Sequence, residues 1–200
     1  MKTLLRLFSI LCIAASFNAN AISIDLIADN NAINLGDSLE VQVRISGLDG
    51  STALGVYDVN VNYDASLFSL GNINWGDSLL GNQLDLSGFG SLQDSNSGSG
   101  WLNLFELSFD AATDLESFQA GEFTLFSILL NAIAIGSGDF SLTANALGDA
   151  YGNNLALDSI NGTRININTV SVPEPSIILL LLVGLLAIAT LRSNTFRSSK

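Results

Sequence analysis

Apolar and polar residues alternate with a period of two through much of the chain. In 38–46, Leu39, Val41, Val43 and Ile45 fall on one side and Ser38, Glu40, Gln42, Arg44 and Ser46 on the other, the pattern of a half-buried strand. In 56–63, Tyr57, Val59, Val61 and Tyr63 share a face opposite Asp58, Asn60 and Asn62. Further strands are predicted at 22–28, 67–75, 101–109, 122–132, 139–146, 155–160 and 163–171, separated by Gly, Asn, Asp and Ser clusters that suit tight turns. About nine short strands with no long helical period between them predict an all-β sandwich. Thr113-Asp114-Leu115-Glu116 is the local exception: it has capping-box spacing and runs to a stop at Gly121, so one short helix is predicted there.

Residues 76–100 break the rhythm. The stretch is rich in Gly, Ser and Asn and closes with Asn96-Ser97-Gly98-Ser99-Gly100. Loops this long are uncommon in compact domains unless they are functional or disordered. Leu79, Leu80, Leu84, Leu86, Phe89 and Leu92 are scattered through it, so its first part is expected to pack onto the sandwich and its last part to stay mobile.

The two ends have another character. Lys2 and Arg6 precede an apolar run from Leu7 to Phe17 and then Ala19-Asn20-Ala21, the order of a secretory signal peptide with its cleavage site. Residues 1–21 are therefore expected to leave, with Ala19 and Ala21 read by signal peptidase and Ile22 beginning the mature protein. At the other end, Val172-Pro173-Glu174-Pro175-Ser176 leads into Ile177 to Leu191, apolar apart from Gly184 and Thr190, and Arg192, Arg197 and Lys200 come after it. A helix over 177–191, at about 1.5 Å per residue, would span roughly 22 Å against roughly 30 Å of bilayer hydrocarbon. Ser176 and a snorkelling Arg192 narrow that gap. The prolines hold the chain extended where it would enter the membrane. On physical grounds this is either a permanent single-span anchor on a Pro-rich stalk or an anchor presented to a protease.

Charge is strongly partitioned. Basic residues sit before the first apolar run and beyond the last, which fits an exported domain with its final residues in the cytoplasm. Residues 22–171 keep only Arg44 and Arg164 against eighteen carboxylates, a net charge of −16. Such a surface repels nucleic acid and anionic lipid. There is no histidine, and the one cysteine, Cys12, lies in the N-terminal run behind Leu11, where a lipoprotein signal needs a small residue. The mature domain thus has no thiol chemistry, no disulfide, no His-based nucleophile pair and no His/Cys zinc site.

Pro173-Glu174-Pro175, the apolar helix and the basic tail, in that order over 172–200, resemble the PEP-CTERM sorting signal of bacterial envelope proteins. The resemblance implies a Gram-negative, exopolysaccharide-producing setting and an exosortase-type membrane protease that reads Pro173, Glu174 and Pro175 and removes the helix and basic tail. The central region resembles cohesin-like domains. Leu39 to Ile45, Leu54-Gly55-Val56-Tyr57-Asp58-Val59, Tyr63-Asp64-Ala65-Ser66-Leu67, Asn103-Leu104-Phe105-Glu106-Leu107-Ser108 and Ala146-Leu147-Gly148-Asp149 carry it, with Ala65 where the family usually has proline. This second resemblance, over about 37–170, implies a jelly-roll-like β-sandwich and a general binding role.

Candidate chemistry is sparse. Carboxylate pairs of the glycosidase kind remain available, although eighteen acids supply pairs by chance and most should be solvated turn residues. No cofactor is implied. Calcium on oxygen ligands is the metal chemistry the composition permits, and Asp149 and Asn153 form the best local candidate, a weak one that an Asn/Gly turn explains as well. Trp75, Trp101 and Tyr151 are candidates for stacking on a sugar. Trp101 shares parity with Phe105 and Phe109, which points it to the core instead. The strip Asp58, Asn60, Asn62 is either a surface for protein partners or the wet face of a sheet. The sequence thus points to an exported, non-enzymatic binding or adhesion module at the cell surface or in the extracellular matrix, with a protein or polysaccharide ligand. The alternatives are a structural matrix or surface-layer component without a specific ligand and, behind it, a carboxylate-only glycoside hydrolase.

Overall fold

The computed structural model of the protein describes residues 21–169 and 181–185. The predicted signal peptide up to Asn20, with Ala19, and the motif Pro173-Glu174-Pro175 lie outside the described residues. The described elements are β1 (Ser23–Ala28), β2 (Ala32–Asn34), β3 (Ser38–Ser46), β4 (Leu54–Asn62), β5 (Phe68–Trp75), β6 (Ser91–Gly98) and β7 (Trp101–Ser108). After the helix α1 (Ala112–Phe118) come β8 (Glu122–Ala132), β9 (Gly136–Asp149), β10 (Ser159–Asn161) and β11 (Thr163–Asn168). They form a five-stranded sheet in the order β10-β1-β3-β8-β5 and a six-stranded sheet in the order β2-β11-β9-β4-β7-β6.

The alternation read in β3 becomes the core of the first sheet: Leu39, Val41, Val43 and Ile45 are all fully buried. Each such side chain contributes about 1.5–3 kcal/mol by leaving water. From the second sheet, Tyr57, Val59 and Val61 of β4 and Leu102 and Leu104 of β7 point inward with no exposure. Aromatic pairs bridge the two layers. Tyr57 lies 6.0 Å from Phe126 of β8 and nearly parallel to it, and Phe68 of β5 meets Phe140 of β9 edge-on at 5.0 Å. In β8 the pairing with β3 slips between Val43 and Arg44, which leaves Leu125 without a residue opposite it on β3. Around that bulge β8 is buried on both parities, from Phe123 through Ile128.

Eleven strands replace the predicted nine. The short β2 lies in a stretch that carried no alternation. The larger correction is β6: the part of 76–100 expected to be mobile is an edge strand, paired with β7 from Ser91↔Ser108 to Gly98↔Trp101. Its sequence is polar on both parities, so its order comes from pairing and not from burial. Of the apolar residues in that stretch only Leu84 is fully buried, while Leu79 and Phe89 are among the most exposed. Residues 155–160 do not form the predicted strand; only Ser159–Asn161 pairs, in parallel with β1. The helix is present without its capping box. Ala111 is the N-cap and offers no side-chain acceptor, and Thr113 sits inside the first turn, its carbonyl accepting from Ser117 Oγ at 2.6 Å.

The chain divides into two units, 1–168 and 169–200. In the second, residues 181–185 are helical and their apolar side chains are exposed. The rest of the predicted 177–191 helix lies outside the described residues, and among those described no helix is long and apolar enough to cross a membrane.

Candidate functional site

The outer face of the six-stranded sheet is built around β4. Its inward parity is apolar, so Asp58 and Asn60 must point outward, and their cross-strand partners on β7 are Phe105 and Asn103. Asn145 reaches the same group from β9. Asn103 Nδ2 donates to Asp58 Oδ1 at 2.6 Å and to Asn60 Oδ1 at 2.9 Å. Asn145 Nδ2 donates to Asp58 Oδ1 at 2.9 Å, and Asn60 Nδ2 donates to Asn145 Oδ1 at 3.0 Å. Four side chains on three strands thus form a closed ring that fixes their rotamers before any partner arrives. Asn62, read as part of the same strip, lies at the strand end outside this ring and is exposed.

Apolar side chains flank the ring. Trp101 lies opposite Asn62 and is 38% exposed, Phe105 is half-buried beside Asp58, and Leu92 on β6 is exposed opposite Leu107. The expected parity of β7 is therefore reversed: Leu102, Leu104 and Glu106 face the core, and Trp101 and Phe105 face out. Both parities of Trp-Leu-Asn-Leu-Phe-Glu-Leu-Ser carry large apolar residues, so alternation alone is ambiguous there, and the neighbouring β4 decides.

That reversal places a carboxylate in the interior. Glu106 has no solvent exposure and lies directly between Tyr57 of β4 and Gln93 of β6. Tyr57 Oη donates to Oε2 at 2.9 Å; Asn82 Nδ2, Ser91 Oγ and Gln93 Nε2 donate to Oε1 at 2.6, 2.5 and 2.9 Å. Burial, and next the adjacent Glu106 carboxylate, drive the Tyr57 phenol far above its usual range. With four donors and no access to solvent, Glu106 acts as an anchor for β6 and the loop before it, not as an acid or base facing a substrate. Sequence reasoning missed it, and the available signal was a lone acid on the parity of Leu102 and Leu104.

The aromatic candidates do not form a common platform. Trp75 ends β5 in the other sheet, opposite Phe126, and its half-buried indole packs on that ring at 6.3 Å. Tyr151 is exposed in the loop after β9, where its hydroxyl donates to Glu116 of α1 at 3.1 Å. Asp149 and Asn153 do come together, but as a turn. Asp149 Oδ1 accepts from the backbone N–H of Tyr151 and Asn153 at 2.9 and 2.8 Å, and Oδ2 accepts from Asn153 Nδ2 at 2.9 Å. Those bonds, the Asn153 side chain first, hold the Asp149 carboxyl below the usual carboxylate range. Among the described residues no group of three or more metal-ligating side chains is assembled. A shallow recess of about 300 Å³ on the outer face of the five-stranded sheet is lined by Glu40, Gln42, Asn74, Thr124 and Ser127 among others.

No protein-family model and no curated protein matches the chain. Among solved structures it is similar to a type II cohesin domain from the cellulosome of Acetivibrio cellulolyticus, with a TM-score of 0.60 and 15% identity over 73% of this chain and 95% of that one. It is similar to the cohesin in a type I cohesin–dockerin complex from Clostridium thermocellum, with a TM-score of 0.59 and 17% identity over 74% of this chain and 100% of that one. It also resembles a non-cellulosomal cohesin from the archaeon Archaeoglobus fulgidus, with a TM-score of 0.55 and 17% identity over 74% and 91% of the two chains. At these identities the likeness is one of fold: the domain is an all-β, jelly-roll-like sandwich of cohesin type.

Proposed function

We propose that this chain is an exported, non-enzymatic binding module that meets protein partners through the outer face of β9, β4, β7 and β6. The observation that carries this reading is the ring of Asp58, Asn60, Asn103 and Asn145, rigid and set between exposed Trp101 and Leu92. A flat sheet face with ordered amides at its centre and aromatic and aliphatic groups at its margins suits a partner of matching flatness. The Clostridium thermocellum cohesin, of the same fold, is held in a complex with a dockerin, which supports the use of such a sandwich for docking. The net charge of −16 over 22–171 favours a basic partner. The signal-peptide-like N-terminus and the PEP-CTERM-like tail support a place at the cell surface or in the matrix. In this reading an exosortase-type protease acts at Pro173, Glu174 and Pro175, and 177–191 serves as a transient membrane anchor.

The test uses labelled exported protein on the producing organism's own envelope and matrix, before and after protease treatment. Saturable binding that protease abolishes, and that Asn62→Arg and Trp101→Ala each weaken tenfold or more, supports the reading (about 1.4 kcal/mol). Binding unchanged by both variants overturns it. A second reading, a structural matrix component without a specific ligand, draws on the same ring, because its amides already satisfy one another. Self-assembly without saturable binding favours that reading. Mass spectrometry of the exported protein tests the sorting: a C-terminus intact beyond Ser176 counts against processing.

A further inference from the structure

We propose that Asp158 is the receptor for the N-terminus that processing creates. The proposal rests on the signal-peptide reading and concerns what the domain does with the end that cleavage exposes. The backbone nitrogen of Ile22 donates to Asp158 Oδ2 at 2.9 Å, and the backbone nitrogen of Asp158 donates to the Ile22 carbonyl at 2.9 Å. This two-point clamp joins residues 136 apart in sequence and stands at the start of the parallel ladder of β1 and β10, whose first pair is Ser23↔Ser159. Ile22 itself is 6% exposed and belongs to the core cluster.

Hydrolysis of the Ala21–Ile22 peptide bond adds one water. The acyl carbon of Ala21 leaves with the signal as a carboxylate, and the Ile22 nitrogen becomes an ammonium. The atom that now donates as a neutral amide then carries a full positive charge beside a carboxylate already in place. A hydrogen bond in which only the acceptor is charged becomes an ion pair in which both partners are.

The position of this acid is not that of an ordinary turn carboxylate. Asp49, Asp64 and Asp149 each accept from backbone N–H groups two residues ahead in their own loops. Asp158 instead reaches across the sheet edge to the first strand. The backbone at Gly47, with φ +86°, passes so close that a Cβ there would stand 2.8 Å from the Ala21 carbonyl carbon and 3.1 Å from Ile22 Cα. The Ile22 side of the bond to be cut therefore lies against that turn, while Ala21 is exposed. The seat for the new terminus is built by the turn and by Asp158 together.

The experiment uses the exported protein and its Asp158→Asn variant. Intact mass gives the N-terminus, limited acetylation gives the reactivity of its α-amine near neutral pH, and thermal unfolding is followed before and after full acetylation. A terminus at Ile22, an α-amine that reacts about tenfold more slowly in wild type than in Asp158→Asn, and a wild-type melting temperature that falls on acetylation support the proposal; tenfold corresponds to holding the ammonium one pKa unit higher. If the terminus lies elsewhere, both the cleavage reading and the proposal fail. If it is Ile22 but acetylation leaves the wild-type melting temperature unchanged, the cleavage reading stands and the role of Asp158 is overturned. The wild-type comparison decides even if Asp158→Asn does not fold.

Discussion

The Tyr57 hydroxyl donates to Glu106 Oε2 over 2.9 Å inside the core, between two residues that face each other across β4 and β7. Through Glu106 the bond continues to Asn82, Ser91 and Gln93, so the edge strand and the loop leading to it are tied to the sheet by one carboxylate. Tyr57→Phe removes one donor and leaves three, and should cost about 1 kcal/mol. Glu106→Ala strands four donors, the fully buried Tyr57 hydroxyl among them, and should cost about 3 kcal/mol or more. Urea unfolding measures both, and a smaller loss for Glu106→Ala than for Tyr57→Phe would show that the carboxylate does not anchor β6.

Alkaline titration probes the same pair. All three tyrosines have phenols raised above their ordinary value: Tyr57 and Tyr63 by burial first, and Tyr151 by its hydrogen bond to Glu116 first. In the unfolded chain they ionise near pH 10, whereas Tyr57 in the fold holds its proton. The folded state then binds more protons than the unfolded one, so stability is intact below pH 10 and falls as pH rises beyond it. For Tyr57 alone the slope is about 1.4 kcal/mol per pH unit. Phenolate absorbance should rise later in native protein than in denatured protein, and Tyr57→Phe should flatten the loss of stability above pH 10.

Metal removal should leave the domain unchanged. Both oxygens of Asp149 already accept hydrogen bonds from its own loop. A chelator, or added calcium, should therefore leave the melting temperature where it was, and a calcium-dependent rise would restore Asp149 and Asn153 as ligands. Acid has a definite effect instead. The lowered Asp149 carboxyl contributes stability that is present above its unfolded pKa near 3.8 and is lost as pH falls through the lower folded value. Asn153→Ala removes the largest cause and should weaken this acid dependence.

Gly98 holds its place for a local reason. A Cβ there would stand 2.6 Å from Cε2 of Trp101, its cross-strand partner. Gly98→Val should push the indole off the end of the sheet. In a Trp75→Phe background Trp101 is the sole tryptophan, so a red shift of its emission reports the displacement, and an unchanged spectrum would contradict the packing.

Where one face is buried and the other wet, the chain declares itself, and β3 and the outward strip of β4 were legible for that reason. β6 was not, because Ser-Leu-Gln-Asp-Ser-Asn-Ser-Gly has no apolar parity; hydrogen bonds to β7 and to Glu106 hold it. In β7 the sequence offers two apolar parities, and the choice between them is made by the layer opposite. The ring around Asp58 was half legible: Asp58 and Asn60 were read as a strip, but Asn103 and Asn145 come from other strands, and single-strand periodicity has no access to cross-strand register. The clamp between Ile22 and Asp158 was invisible for the same reason, its two halves lying at opposite ends of the domain sequence.

Arg44 pairs with Glu122 at 2.9 Å, and Arg164 pairs with Asp139 through its guanidinium fork. These are the only basic side chains of 22–171, so every cation this region possesses is already spent on a neighbour. If the proposed display on an envelope holds, crowded molecules would push one another apart, over a range of about 8–10 Å at physiological ionic strength and much farther at low salt. How densely such a coat can be laid down then becomes a property of the surrounding salt.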